Sequence, residues 1–192
     1  MTLSEQLAQW RNWLARLDAP VAPALLPGAD RTAIGAALGP TVPPAVLDWF
    51  TWCDGVGHQP GQTIGDTYAI PGYWPISLRD AVEVKPIHAD PDDPLLAEHW
   101  IPLLENGSSD LYVAVWSDGT EPAVASIMPE YGPASVEFDS IPQMVAVFNA
   151  CFARSAYFLD DEGQLDVDDD RYAEIYQEIV GRHPDRDDDE DL

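Results

Sequence analysis

Basic residues are scarce in this sequence. Nine lysines and arginines, of which Lys85 is the only lysine, stand against 34 acidic residues, so the formal net charge is −25. Phosphate-binding loops need a lysine within a glycine-rich segment, and this chain has none, which excludes that class of site. Nucleic acids and anionic membranes are bound by clusters of Lys and Arg, so we expect neither as a partner. The acidic excess instead favours a basic protein partner or serves solubility alone.

Cysteines and long apolar runs are scarce as well. The two cysteines, Cys53 and Cys151, lie far apart and give no disulfide framework. No apolar run approaches the roughly 18–20 residues that a membrane span needs. The N-terminal segment MTLSEQLAQW lacks the basic region followed by an apolar block that a secretory signal has. We therefore expect a cytoplasmic protein.

Metal-binding patterns are also missing. The histidines show no paired spacing, and neither cysteine belongs to a C-x2-C motif. The acidic stretch 158–169 places Gly163 at the sixth position of a calcium loop, but Phe158 stands at its first position and Asp169 at its twelfth, where an Asp and a Glu are needed. We interpret this stretch as a solvated turn between two helices, and we expect no metal and no cofactor.

One catalytic arrangement has to be weighed. Cys53 is followed closely by Asp54 and His58, which are the residue types of a Cys–His nucleophilic site. Nothing else in the sequence supports that chemistry, and a lone cysteine in a helix is usually a small hydrophobic core residue. Acidic residues are too numerous for a general acid–base pair to be singled out. We therefore predict that the protein is not an enzyme and has no catalytic residue.

The chain is organised around the segment 100–128. Asn106-Gly107 and Asp118-Gly119 are typical of two-residue hairpin turns, so the segment predicts a three-stranded antiparallel meander at about 100–105, 109–116 and 122–128. The middle strand, LYVAVW, is apolar on both of its faces, which predicts a central strand that is covered on each side. The segment SVEF at 135–138 is a candidate for a further strand.

Helical patterns surround this meander. Apolar spacing, caps and turn residues predict helices at 3–17, 30–38, 43–55, 77–84, 140–163 and 168–180. The caps include a T-x-x-E capping box at Thr2 and Glu5 and the serines Ser77 and Ser140. The residues 18–29 are interpreted as a loop, with a short strand near 68–70 in the Gly- and Pro-rich stretch that follows the third helix. The like-charge run DRDDDEDL at the C-terminus predicts a disordered tail.

These elements predict an α+β fold, in which a mostly antiparallel sheet is flanked by helices. We divide the chain into an N-terminal amphipathic helix and linker (1–29), a central domain (30–160), and an acidic C-terminal helix and tail (161–192). Residues 160–192 contain 15 of the acidic residues and only 3 basic ones, so about half of the excess negative charge lies in this last part of the chain.

Several segments, in this order, resemble the SUKH superfamily, which includes a fungal cell-wall-synthesis regulator and many bacterial toxin-immunity proteins. The resemblance covers about residues 30–160 and depends on the ordered set of segments rather than on any one of them. The segments are VPPAVLDWFTWCDGVG, AIPGYWPISLRDAVE, WIPLLENGSSDLYVAVW and the helix that begins at Ser140.

The resemblance implies a domain without enzyme activity that binds another protein through a groove. It implies here an immunity protein that neutralises a cognate bacterial toxin domain, and the acidic charge of the chain favours a basic one. The alternative is a regulatory or scaffold module that binds an endogenous protein. Carried over by position, the partner-binding residues are Trp52, Asp54, Gly55, Pro71, Gly72, Trp100, Pro102, Gly107 and Asp110.

Structural explanations stay open for several of these residues. Turn geometry alone explains the three glycines, and entry into a strand explains Trp100 and Pro102. Trp52, Trp74 and Trp100 all lie beside turns, where a tryptophan is either a core residue or a rigid anchor on a binding surface. The sequence does not distinguish these two roles.

Overall fold

The computed structural model describes residues 1–97 and 99–182, and within them the chain has an α+β fold. The helices are α1 (Leu3–Arg16), α2 (Arg31–Leu38), α3 (Pro44–Trp52), α4 (Leu78–Val84), α5 (Ile141–Ala153) and α6 (Asp169–Val180). The strands are β1 (Leu25–Pro27), β2 (Cys53–Val56), β3 (Trp74–Pro75), β4 (His99–Glu105), β5 (Leu111–Trp116), β6 (Ala123–Ile127), β7 (Ser135–Phe138), β8 (Tyr157–Leu159) and β9 (Leu165–Val167).

The central sheet has five antiparallel strands in the order β3-β4-β5-β6-β7. The predicted meander is confirmed as β4, β5 and β6, and the further strand at 135–138 is confirmed as β7. Two small antiparallel sheets, β1-β2 and β8-β9, lie outside the central one. The mostly antiparallel sheet with flanking helices therefore agrees with the predicted fold class.

The middle strand β5 is covered on both faces, as its sequence predicts. Tyr112, Ala114 and Trp116 face a large core that includes buried residues of α1, α3, α5 and α6. The alternate residues of β5 face a second, smaller cluster on the other side of the sheet. That cluster contains Leu96, Trp100, Leu111, Val113, Val115, Ala125 and Ile127.

The N-terminal and C-terminal segments pack into the same core as the central region. Leu7, Trp10 and Leu14 of α1 and Ile175 and Tyr176 of α6 are almost fully buried in the large cluster. The predicted capping box begins α1, because the Thr2 side chain accepts from the Glu5 backbone and the Glu5 side chain accepts from the Thr2 backbone. The predicted disordered tail lies outside the described residues.

The hairpin turns differ from the predicted two-residue type. Residues 106–110 form the first loop, in which Ser109, not Gly107, has the positive φ of 71°. The Asn106 side chain organises this loop by accepting hydrogen bonds from the backbone N–H groups of Ser108 and Asp110. The second loop spans 117–122, where Gly119 has a φ of 78°. Side-chain bonds that a dipeptide pattern does not encode therefore determine the first loop.

The third helix is shorter than predicted, and the predicted loop at 18–29 contains a strand. Helix α3 ends at Trp52, and Cys53 is already extended, with φ −151° and ψ 131°. Strand β2 pairs with β1 through Leu25↔Val56 and Pro27↔Cys53. The prediction failed because the partner strand lies about 28 residues away along the chain, whereas helical periodicity reports only on near neighbours.

The predicted helix at 140–163 is also too long. Helix α5 ends at Ala153, Ser155 adopts a φ of 57°, and the chain then forms the β8-β9 hairpin. The Asp160 side chain accepts from the backbone of Glu162 and Gln164 and stabilises the turn of this hairpin. The stretch 158–169 is therefore a hairpin leading into α6, which corrects its interpretation as a turn between helices.

The strand predicted near 68–70 is displaced. Gly65–Thr67 form a short 3-10 helix, and β3 begins only at Trp74. The Ile70-Pro71-Gly72-Tyr73 segment makes a turn in which the Tyr73 N–H donates to the Ile70 carbonyl, and Gly72 has a φ of 80°. Among residues 1–97 and 99–182, no helix combines the length and the hydrophobicity that a membrane crossing requires.

Candidate functional site

A groove lies where the β1-β2 sheet meets strand β3, the edge of the central sheet. Its larger part is a cavity of about 450 Å³, and its smaller part is a neighbouring cavity of about 330 Å³. Val56, Gly57, His58 and Trp74 line both cavities, so we treat the two as one groove. The other lining residues are Leu26, Asp54, Gln62, Thr63, Ile64, Thr67, Pro75, Ser77, Arg79, Asp80 and Glu105.

Strand β2 supplies one wall by alternation. Cys53 and Gly55 are buried, whereas Asp54 and Val56 are partly exposed and line the groove. One Asp54 carboxylate oxygen, Oδ1, accepts from the backbone N–H of Leu78 at 2.8 Å, at the first residue of α4. This bond connects β2 to the start of α4 and leaves the second carboxylate oxygen of Asp54 without a partner among the described residues.

Gly55 holds this wall close to its neighbour. Its φ is 89°, and a Cβ atom placed there would lie 2.9 Å from the backbone nitrogen of Ser77. A side chain at this position would therefore both strain the backbone and push β2 away from α4. Gly55 shapes the groove from behind and does not line it.

Two further carboxylates line the larger cavity. Asp80 accepts from the hydroxyl of Ser77 at 2.6 Å and from the guanidinium of Arg79 at 2.9 Å. The Ser77 hydrogen bond, with a smaller contribution from Arg79, lowers the pKa of Asp80 below its usual value. Glu105 differs, because burial raises its pKa above the usual value although Trp74 donates a hydrogen bond to it.

Trp74 is the aromatic centre of the groove. Its indole N–H donates to Oε1 of Glu105 at 2.9 Å, and its ring stacks on Tyr68 with centroids 6.2 Å apart and planes 12° from parallel. Exposed aliphatic side chains accompany it: Leu26, in the larger cavity, is 41% exposed, and Ile64, in the smaller one, is 54% exposed. The groove therefore combines negative charge with apolar surface.

Three of the residues that the family resemblance points to contribute to this groove. Asp54 lines the groove, and Gly55 lies behind its wall against Ser77. Gly107 lies against the side chain of Ile64, which lines the smaller cavity. A Cβ atom at Gly107 would lie 2.6 Å from Cδ1 of Ile64, so the small residue leaves room for the Ile64 side chain. Asp110 belongs to the same loop and accepts from the amide of Asn106 at 2.7 Å. The structure thus assigns Asp110 to holding the loop that carries Gly107.

The two tryptophans among the predicted partner-binding residues lie elsewhere. Trp100 is only 2% exposed and packs in the second cluster, where the amine of Lys85 lies 5.4 Å from its ring centroid. Trp52 stacks on Trp10 at 4.8 Å, and the guanidinium of Arg11 lies 5.7 Å from its ring centroid. Neither residue lines the groove, so their contacts are those of packing.

The predicted prolines have local roles in the backbone. Pro71 and Gly72 occupy the two central positions of the turn that precedes β3. Pro102 is buried in β4 next to an irregularity in its pairing with β5, where a missing N–H is tolerated. These residues determine where β3 and β4 lie and do not line the groove.

Most of the groove was missed from the sequence. Asp80 and Glu105 come from α4 and the end of β4, so only folding brings them close to Asp54. One available signal was a charged residue, Glu105, directly after the apolar run of β4. Another was Trp74, which sequence reasoning noted as a possible surface anchor but did not connect with either carboxylate.

The environment of Cys53 disfavours nucleophilic chemistry. The thiol is fully buried, donates to the Gly55 carbonyl at 3.2 Å, and has its pKa raised to about 11 by burial. Because the thiolate is the nucleophilic form, a raised pKa makes such a cysteine unreactive near neutral pH. Within the described part of the chain, no group of three or more His, Cys, Asp or Glu side chains is arranged to hold a metal ion.

Comparison with known proteins leaves the family of this chain undetermined. No family model matches the sequence, and no curated protein is significantly similar to it. The resemblance of residues 30–160 to the SUKH superfamily therefore stays a prediction.

Proposed function

We propose that this protein is a non-enzymatic binding domain of the cytoplasm that neutralises a toxin domain, as its resemblance to the SUKH superfamily implies. The negative charge of the chain favours a basic toxin domain. The observation that carries the proposal is the groove, in which the carboxylates of Asp54, Asp80 and Glu105 lie beside the exposed side chains of Leu26 and Ile64. Specific protein interfaces use this combination, in which apolar anchors supply affinity and complementary charge guides association.

The charge outside the groove supports a basic partner. In residues 1–97 and 99–182, every Lys and Arg side chain already contacts a carboxylate, a backbone carbonyl or an aromatic ring. These eight residues are Arg11, Arg16, Arg31, Arg79, Lys85, Arg154, Arg171 and Arg182. The many acidic residues that remain create a negative field, which accelerates encounter with a positive surface and weakens as salt is added.

The test is to express the chain together with the toxin domain encoded beside its own gene. The groove variant is Asp54→Asn, Asp80→Asn and Glu105→Gln combined. The amides at positions 54 and 105 keep an oxygen that accepts from the Leu78 N–H and the Trp74 indole, and the amide at position 80 keeps the Ser77 bond but loses the exposed contact with Arg79. Three negative charges are thereby removed from the groove while the hydrogen bonds that join its elements remain. We expect protection by the native chain and its loss in this variant.

The matched control removes the same number of charges from elsewhere on the surface. The side chains of Glu121, Glu130 and Glu174 are exposed and form no hydrogen bond or ion pair with other described residues, so we change each residue to Gln. The control should retain protection, with an association rate only slightly below that of the native chain. Unchanged toxicity in the presence of the native chain would overturn the proposal.

A further inference from the structure

The Glu105 carboxylate has no cationic partner among the residues that the structure describes. It lies at the end of β4, is partly buried, and uses Oε1 to accept the Trp74 indole N–H. No basic side chain forms an ion pair with it among residues 1–97 and 99–182. The negative charge of Asp80 is near enough to raise the pKa of Glu105 further, in addition to the larger effect of burial. A positive group placed beside Glu105 would relieve both effects.

Trp74 and Glu105 are held in a fixed relation. The indole hydrogen bond joins the ring to the carboxylate, and the stacking of Tyr68 restricts the ring further. A planar cation is able to rest on such a ring and at the same time donate to the carboxylate next to it. The guanidinium group has this geometry, whereas an ammonium group is a compact point charge.

The side chains that line the larger cavity include three carboxylates and one guanidinium group. Arg79 already pairs with Asp80, and its side chain is 79% exposed, so it stands at the rim of the groove. Asp54, Asp80 and Glu105 therefore outnumber the one guanidinium that lines the cavity with them. The volume of about 450 Å³ lies within the range of small-ligand sites, which is roughly 300–1,000 Å³.

We infer that the groove recognises an arginine side chain of the partner protein, which stacks on Trp74 and forms an ion pair with Glu105. Asp54 supplies further negative charge to the same cavity. The exposed Ile64 in the neighbouring cavity accepts an apolar side chain of the same partner segment. The inference rests on the proposed function for the identity of the partner as a protein, but it concerns the chemistry of this one contact.

The test uses small probes and does not depend on a toxin. N-acetyl-argininamide is titrated into ¹⁵N-labelled full-length chain, and the Trp74 indole N–H and the Leu78 amide are followed by NMR. N-acetyl-citrullinamide, which is nearly isosteric but uncharged, is the matched control ligand. We expect saturable shifts of these signals with the arginine probe and binding at least about ten-fold weaker with the citrulline probe, a difference of about 1.4 kcal/mol.

N-acetyl-lysinamide tests whether shape matters as well as charge. If the guanidinium stacks on Trp74, the lysine probe should bind several-fold more weakly than the arginine probe. Equal binding of arginine and citrulline probes, or of arginine and lysine probes, would overturn the inference. Shifts that are spread over the acidic surface and absent from the groove would overturn it too.

Variants locate the site. Glu105→Gln should weaken binding of the arginine probe about ten-fold while keeping the Trp74 hydrogen bond, and Glu121→Gln should leave it unchanged. If native-like binding persists in Glu105→Gln, the inference is wrong. A chain that binds the arginine probe but fails to protect against the toxin contradicts the proposed function alone. Protection without probe binding contradicts the inference alone.

Discussion

Trp74 and Trp100 occupy similar positions in the sequence, because each lies beside a turn at the start of a strand. The fold nevertheless gives the two residues opposite surroundings. Trp100 lies beneath other residues on the second face of the central sheet and is 2% exposed. Trp74 is partly exposed and lines both cavities of the groove. The difference teaches that the cover supplied by distant segments, and not the local sequence, decides whether an aromatic residue packs or remains available to a ligand.

The cover over Trp100 is held in place by one carboxylate. Asp93 is 5% exposed, and its two oxygens accept from the backbone N–H groups of Leu95 and Ala134, each at 2.8 Å. These bonds join the segment before β4 to the loop before β7, and Leu96 of that segment packs beside Trp100.

The largest expected effect comes from removing the buried tryptophan. Trp100→Ala should lower the free energy of unfolding by about 3–5 kcal/mol, because a large buried side chain leaves a cavity in the second cluster. Trp74→Ala should cost only about 1–2 kcal/mol, since it removes a partly exposed ring and one hydrogen bond. Chemical denaturation of the two variants measures both values, and equal losses would contradict the comparison.

The next largest effect is a difference in stability between alanine substitutions at two glycines. Gly55→Ala should destabilise the chain by about 2–3 kcal/mol, because φ is 89° and the added Cβ would meet the backbone of Ser77. Gly107→Ala should change stability by less than about 0.5 kcal/mol, since its Cβ would meet only the tip of the exposed Ile64 side chain. Thermal unfolding distinguishes these outcomes, and a tolerant Gly55 would mean that β2 and α4 are not held as closely as described.

A smaller effect is expected at Cys53, a buried residue of β2. Cys53→Ala should cost about 1–2 kcal/mol for the loss of a small buried side chain, and should leave toxin protection unchanged. Because the pKa of Cys53 is raised to about 11, its thiolate is rare at pH 8, and alkylation by iodoacetamide should be far slower in the folded chain than in urea. Rapid alkylation of the folded chain, or lost protection, would favour the Cys–His hypothesis.

The smallest effect is a pH dependence at Glu105. The pKa of Glu105 is raised in the folded state, so above that pKa the ionised side chain lowers the free energy of unfolding. This loss of stability disappears as the pH falls and the carboxyl group becomes protonated in both the folded and the unfolded chain. Glu105→Gln should therefore slightly raise Tm at pH 7 and give no advantage well below the raised pKa. Thermal scans between pH 3 and 8 measure this, with Glu121→Gln as the control for removing one exposed carboxylate. A native advantage at pH 7 would contradict the raised pKa.

Local sequence predicted much of the framework. The capping box of α1, the Ser77 and Ser140 caps and the two-sided apolar pattern of β5 all correspond to observed elements. These features depend on residues a few positions apart, where backbone preference and side-chain spacing act directly. Sequence by itself therefore determined the α+β class and the position of the meander.

Tertiary structure decided the features that involve distant partners. The pairing of β1 with β2 ended α3 early, and the cover over Trp100 removed it from the surface. The groove required Asp54, Asp80 and Glu105 to meet from three separate elements. Such contacts depend on how surfaces pack after the elements form, and since residues far apart in the chain supply them, no local pattern contains that information.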